Sequence, residues 1–413
     1  MSTPTEPSGH PARRPPRVRP QLSRILVGVA ALALVAPGLS SCESVPGIPG
    51  GAGTPEGATV DERVRIRTSV GDGAEEVAVS HVVEVEARGG SLLKVRLVSA
   101  AGEISGSLSD DGTRWVAGDR LEPGSTYTTR VVAEGSDGQR RRVTRSFRTI
   151  DLSLSEQTFA SVAPLDGETV GVGMPVVVTF DIPVSDRATF ERQLTVTSVP
   201  QQAGTWHWVN DSEVHYRPKR YWRAGSDVTV DVDINGVPAG GGVYGQESRS
   251  ISFTVGDEVI HRVEVGRHRL RTFINGDLAR TLPISAGKAG FETRSGTKVI
   301  MEKHRRRTMD AATTGISPGH PEYYNIENVE YALRVTHSGE FLHAAPWSAG
   351  SQGSANVSHG CVGMSTADAR WVYENSRRGD VVEVTGTDRR MDLYNGWGDW
   401  NASYAEYRSG SAL

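Results

Sequence analysis

Cysteine is almost missing from this chain: there are two among 413 residues, Cys42 and Cys361. Aromatic residues make up only 7%, and the hydrophobic fraction of 37% is low for a compact globular protein. Beyond the N-terminal segment, positive charge is not concentrated anywhere. The net charge is −4, and the two short basic runs, Arg140–Arg142 and Lys303–Arg307, have no wider basic context. They read as solvated surface and give no footprint for nucleic acid. A spanning helix is missing too, because the apolar stretch Ile25–Leu39, about 15 residues, is too short to cross a bilayer. What remains is length: 413 residues suit two to four domains, with Gly, Thr, Ser and Val contents that favour β structure.

The N-terminus reads as a targeting segment. Arg13, Arg14, Arg17, Arg19 and Arg24 precede the apolar stretch, which closes on Leu39-Ser40-Ser41-Cys42. That tetrapeptide resembles a bacterial lipobox. The resemblance implies a signal peptide over 1–41, a lipid on Cys42, and anchoring to the outer face of the cell membrane. Residues 42–59, rich in Gly, Pro and Ser, read as a flexible linker. With Cys42 under lipid, Cys361 has no partner for a disulfide. A lone thiol outside the cell is exposed to oxidation, so its retention points to use.

Residues 60–150 and 151–256 carry short alternating runs separated by turn signals such as Gly89-Gly90 and Asp137-Gly138, the pattern of β-sandwiches. Leu121–Tyr127 looks like the tyrosine corner of immunoglobulin-like folds, and Trp115 is a core candidate. Gly124 and Gly225 head matching Gly-Ser turns about 100 residues apart, one sandwich length. The expected architecture is therefore mainly β, with two tandem immunoglobulin-like domains acting as a spacer that has no cluster of titratable groups. A third unit, 257–386, opens with alternating strands around Asn275-Gly276, a two-residue hairpin signal. Thr308–Tyr324 reads as a lid or binding loop. Ser365-Thr-Ala-Asp368 caps a helix expected to reach about Arg377. The aromatic extension 387–413 is expected to dock on this third unit.

The chemistry gathers in Phe341–Met364. A cysteine acyl-transfer site needs a thiol, a proton acceptor beside it and donors for an oxyanion. Cys361 supplies the thiol, and His343 and His359 are the candidate bases. His343, at the end of a strand and distant in sequence, can face the thiol from a neighbouring strand and is preferred. Gly360 frees the backbone N–H groups of Gly360 and Cys361 to turn toward a carbonyl. A metal site would have only three apparent ligands, one short of the usual set.

His343-Ala-Ala-Pro-Trp347, Ser358-His-Gly-Cys361 and Trp397-Gly-Asp-Trp400 together resemble the L,D-transpeptidases, the YkuD-type catalytic domain. The likeness is to actinobacterial lipoproteins with two immunoglobulin-like domains, and it extends to the whole architecture. It implies that Cys361 attacks a peptidoglycan tetrapeptide stem at diaminopimelate, releases D-alanine, and passes the acyl group to the side-chain amine of another stem. The product would be a 3→3 cross-link. The resemblance further implies that Ala344 orients His343 through its carbonyl, and that His359 shapes the site. A substrate-facing surface would come from Met309, Tyr331, Trp347, Asn356 and Ser358. No metal or cofactor is implied, and carbapenems are expected to acylate the same thiol. An aromatic lid residue is expected near Thr314, a role open to Tyr323, Tyr324 or Tyr331. Gly363 stands where the family usually has Asn or Arg, and Ala344 where Ser is common. Two other outcomes share the motif: an L,D-carboxypeptidase, in which water resolves the thioester, and a non-catalytic wall scaffold.

Overall fold

The computed structural model describes residues 63–413; Cys42, the lipobox and the linker lie outside them. Two β-sandwiches come first, as the alternation predicts. In the first, a four-stranded sheet built on Arg65–Thr68, Glu84–Arg88, Arg114–Ala117 and Gly106–Leu108 faces a five-stranded sheet centred on Thr126–Gly135. Trp115, Leu97, Tyr127 and Phe147 fill the space between them. The tyrosine corner is present: the Glu122 N–H donates to the Tyr127 hydroxyl at 2.9 Å. The second sandwich pairs a sheet around Val176–Phe180 and Glu213–Pro218 with one around Asp227–Val232 and Arg249–Val255. The matching glycine turns are also there. Gly124 donates to Ile150 O and Gly225 to Val255 O, at φ of 60° and 76°.

Strands of the third unit are numbered from its start. β1 (Val259–Glu264), β2 (Arg269–Ile274), β3 (Asp277–Pro283), β4 (Gly296–Val299) and β9 (Val381–Thr385) form one sheet in the order β3-β2-β1-β9-β4. The β2–β3 turn is the expected Asn275-Gly276, with φ of 51° and 89°. β5 (Glu302–Asp310), β6 (Asn325–Arg334), β7 (Phe341–Ala344) and β8 (Val362–Met364) form a second sheet in sequence order. Part of the expected loop is therefore strand: β5 continues to Asp310, and a 3-10 turn at Ala311–Thr314 follows, capped by the Asp310 carboxylate on Ala312 N. Helix α1 (Thr366–Glu374) starts where its cap predicts, with Ser365 Oγ accepting from Asp368 N. It ends three residues short of Arg377, where Asn375 leaves helical geometry.

The second sandwich is not a separate bead. Gly171 and Gly173 donate to Arg378 O and Gly379 O at 2.8 and 2.9 Å. A Cβ on Gly171 would lie 2.2 Å from Asp380 N, so only glycine permits this approach. Val299, Met301, Val381 and Trp397 belong to the same continuous core as Val172, Met174 and Trp222. The aromatic tail also departs from expectation, since it docks on the second sandwich as well as on the third unit. Trp208 N donates to Gly410 O at 3.0 Å, and Trp400 Nε1 to Gly173 O at 2.8 Å. The ring of His207 stacks on Tyr407 at 4.6 Å. Hence Trp206, His207 and Trp208 are all buried, where alternation alone would expose one face.

This docking also corrects the expectation that the sandwiches lack titratable clusters. His215 Nδ1 meets Asp399 Oδ1 at 2.8 Å, and its Nε2 meets Glu213 Oε1 at 2.8 Å. The Tyr407 hydroxyl donates to Asp399 Oδ1 at 2.7 Å. Burial opposes the imidazolium, yet Asp399 and Glu213 outweigh it and hold its pKa up at about 9, from an ordinary 6.5. Burial likewise opposes the Asp399 charge, and His215 more than compensates, so its pKa is lowered. A raised histidine stabilises the fold fully below its unfolded value and stops doing so as pH climbs past its folded value. Thermal stability is therefore expected to decline between pH 6.5 and about 9. Asp399→Asn should remove most of that slope in a pH series of melts and cost about 3–5 kcal/mol, the usual result of breaking a buried pair. An unchanged slope would disprove the role of this pair.

Candidate active site

Two parallel strands bring the key residues together. β7 and β8 pair in the register Leu342–Val362, His343–Gly363 and Ala344–Met364. Cys361 ends the turn just before β8 and shares one cleft with His343. Met309, Trp347, Ser358, His359 and Gly363 also line this cleft, as do Tyr324, Ile326 and Ser348.

The imidazole of His343 is fixed by its own strand. Its Nδ1 lies 2.8 Å from Ala344 O. A carbonyl only accepts, so Nδ1 carries the hydrogen and Nε2 is left as the basic nitrogen. The Trp347 ring stacks on the imidazole at 5.8 Å. His359 is committed elsewhere. Its Nε2 donates to Glu322 Oε2 at 2.7 Å, and Lys288 Nζ donates to the same oxygen at 2.5 Å. Phe291 and Tyr324 hold the His359 ring at 4.7 and 4.9 Å. His343 thus lines the cleft from the strand paired with β8, while His359 is tied through Nε2 to Glu322.

The turn that presents the thiol is braced by Ser358. Its hydroxyl donates to Cys361 O at 2.6 Å and accepts from Gly360 N at 3.1 Å. Gly360 sits at φ 125°, which a side chain would resist. Its N–H was expected to face a substrate carbonyl; it donates to the Ser358 hydroxyl two residues back instead, within the same turn. The glycine two residues after the thiol also has a local reason: a Cβ on Gly363 would lie 2.8 Å from the Ala345 Cβ.

Two expected substrate contacts are not in the cleft. Tyr331 is buried between the second sheet and α1, edge-on to Tyr373 at 5.7 Å and under the Arg305 guanidinium at 3.9 Å. Its φ of 53° accompanies an interruption of the β5–β6 register nearby. Tyr324, from the lid segment, supplies the aromatic wall. Asn356 is structural: its side chain accepts from Ala286 N at 3.0 Å and donates to Val265 O at 3.3 Å. Sequence reading missed Glu322 and Lys288. They lie 34 residues apart in chain segments with no shared pattern, so only the fold pairs them.

The electrostatics describe a neutral resting pair. Burial pushes the Cys361 thiol up to about 12; a hydrogen bond with the Phe341 backbone opposes this, Glu340 pushes the thiol up further, and Lys298 pulls it down by less. Burial lowers the His343 pKa, partly opposed by its bond to Ala344 O. Thiol and imidazole therefore wait uncharged, and proton transfer must accompany attack on an acyl group. Among the described residues no cluster of three histidine, cysteine or carboxylate side chains is placed to hold a metal ion.

Residues 259–384 match the family described as L,D-transpeptidase catalytic domain, and 74–238 match the bacterial Ig domain, which runs across both sandwiches. L,D-transpeptidase 2 of Mycobacterium tuberculosis is 36% identical over 350 residues, 84% of this chain and 85% of that protein. L,D-transpeptidase 5 of the same species is 35% identical over 352 residues, 83% and 76% of the two chains. A solved structure of the LD transpeptidase LdtMt1 in complex with imipenem is 38% identical, covering 56% of this chain and 99% of that one, with a TM-score of 0.49.

Proposed function

Because the chain belongs to the L,D-transpeptidase family, we propose that it forms 3→3 cross-links in peptidoglycan through an acyl-enzyme on Cys361. His343 Nε2 takes the thiol proton as the sulfur attacks the carbonyl of meso-diaminopimelate in a tetrapeptide stem. The C–N bond to D-alanine breaks, and His343 returns the proton to the leaving amine. The side-chain amine of a second stem then attacks the thioester, forming an amide and restoring the thiol. The Cys361 amide is assigned to the oxyanion, since the Gly360 amide is engaged with Ser358. The observation that supports this best is the anchored His343, which lines the same cleft as the thiol.

Incubation with a tetrapeptide disaccharide alone provides the test. A cross-linked dimer, with D-alanine released, is expected by mass spectrometry. Tripeptide without dimer would replace this reading with an L,D-carboxypeptidase. A carbapenem offers the thiol a strained amide, and a covalent adduct on Cys361 is expected; an unmodified protein mass would favour a scaffold.

The site of action is proposed to be the outer face of the membrane, through lipid on Cys42. Cys42→Ala should move the protein from the membrane fraction to the soluble one. Retention at the membrane would remove the lipid assignment.

A further inference from the structure

A buried ionic cluster lies directly behind the turn that carries the thiol. Lys298, on β4, is fully buried, and its ammonium contacts Glu340 Oε2. Arg294 Nη1 donates to Glu340 Oε1 at 2.8 Å, and the Arg294 N–H reaches the same oxygen at 3.2 Å. Glu340 itself is buried, and its own N–H is held by Thr336 Oγ1 at 2.8 Å. The cluster adjoins the nucleophile on two sides. A Cβ on Gly360 would come within 3.6 Å of Glu340 Oε1. The thiol points its hydrogen at Gly339 O, at 3.6 Å, one residue before Glu340. Thr293, next to Arg294, donates to Gly360 O at 2.8 Å. Two cations and one carboxylate leave one net positive charge in a low-dielectric setting. Burying such a group is costly, and well-packed apolar side chains often serve stability as well or better. A role beyond packing is therefore the better account of its presence here.

We propose that Lys298, Glu340 and Arg294 are positioning residues for Cys361: they fix the Gly360–Cys361 turn and set the balance of charge at the sulfur as its proton leaves. This rests on Cys361 being the nucleophile. Of the three, Lys298 acts in favour of the thiolate and Glu340 against it, with Arg294 bonded to the Glu340 carboxylate. The other titratable groups around the sulfur are His343 on β7, His359 on its own turn, Tyr324 on the lid segment, and Glu322 and Lys288 behind His359.

The opposite signs make the idea testable. In the chain from residue 63 onward, which contains both sandwiches and the tail, Cys361 alkylation by iodoacetamide is followed against pH, well below the thiol midpoint. There the rate follows the thiolate fraction. Lys298→Met should slow alkylation about tenfold, and Glu340→Gln should speed it by a similar factor. Lys298→Arg should restore the parent rate within about threefold. Arg294→Gln, at a more exposed position, should slow it less than Lys298→Met and serves if that variant fails to fold. Equal rates in all variants, or the same direction of change in Lys298→Met and Glu340→Gln, would overturn the proposal. Alkylation reads thiol chemistry without a stem peptide, so failure of the cross-linking assignment would leave this result standing.

Discussion

On the proposed mechanism Cys361→Ala is expected to abolish dimer formation, with a loss on the order of 10⁶-fold, as when the nucleophile of a covalent mechanism is removed. The same change costs little in folding. The side chain packs with Met309, Val329, Ala332 and Phe341 in a small cluster, so losing one sulfur atom leaves a minor void worth about 1 kcal/mol. The two readouts must separate: dimer yield by mass spectrometry falls to background while the melting temperature stays close to that of the parent. Residual turnover in the variant would mean that another group carries the acyl chain, and the mechanism would fail there.

His343→Ala has the next largest effect. Without an imidazole nitrogen to take the proton, a thiol held near pKa 12 supplies almost no thiolate at neutral pH. Acylation by a carbapenem, followed in a single turnover, should slow by about 10²–10⁴-fold. His359→Ala should do much less to that step. Its Nε2 is bonded to Glu322, so its loss loosens the lid segment and shows mainly as weaker substrate binding. Equal acylation rates for the two variants would count against His343 as the base.

Both predictions come from residues that could be read without coordinates. The SHGC turn, the distant histidine, the Asn275-Gly276 hairpin and the Ser365 cap are local signals, each written in a few adjacent residues. Other features depend on groups far apart in the chain. Lys298 and Glu340 lie 42 residues apart and look, in sequence, like ordinary members of two strands. His215 and Asp399 lie 184 apart, and nothing near either one announces the other. Tyr331 failed as a substrate contact for a related reason: aromatic character suggests a lid, but the local backbone decides which side of a sheet the ring occupies. The tail was expected to dock from its tryptophans alone; the surface it chose depends on how two domains are joined.

That tail sets an unusual condition on the end of the chain. A stop codon before Trp397 would delete only the last 17 residues, none of which line the cleft. It would nonetheless strip Asp399 from His215 and uncover the Arg217 guanidinium, which lies over the rings of Trp400 and Tyr407 at 4.8 and 4.4 Å. Such a truncation would look distal on a sequence map and yet weaken the junction between the second sandwich and the third unit. Leu413, by contrast, is exposed, so a purification tag added beyond it leaves the junction intact.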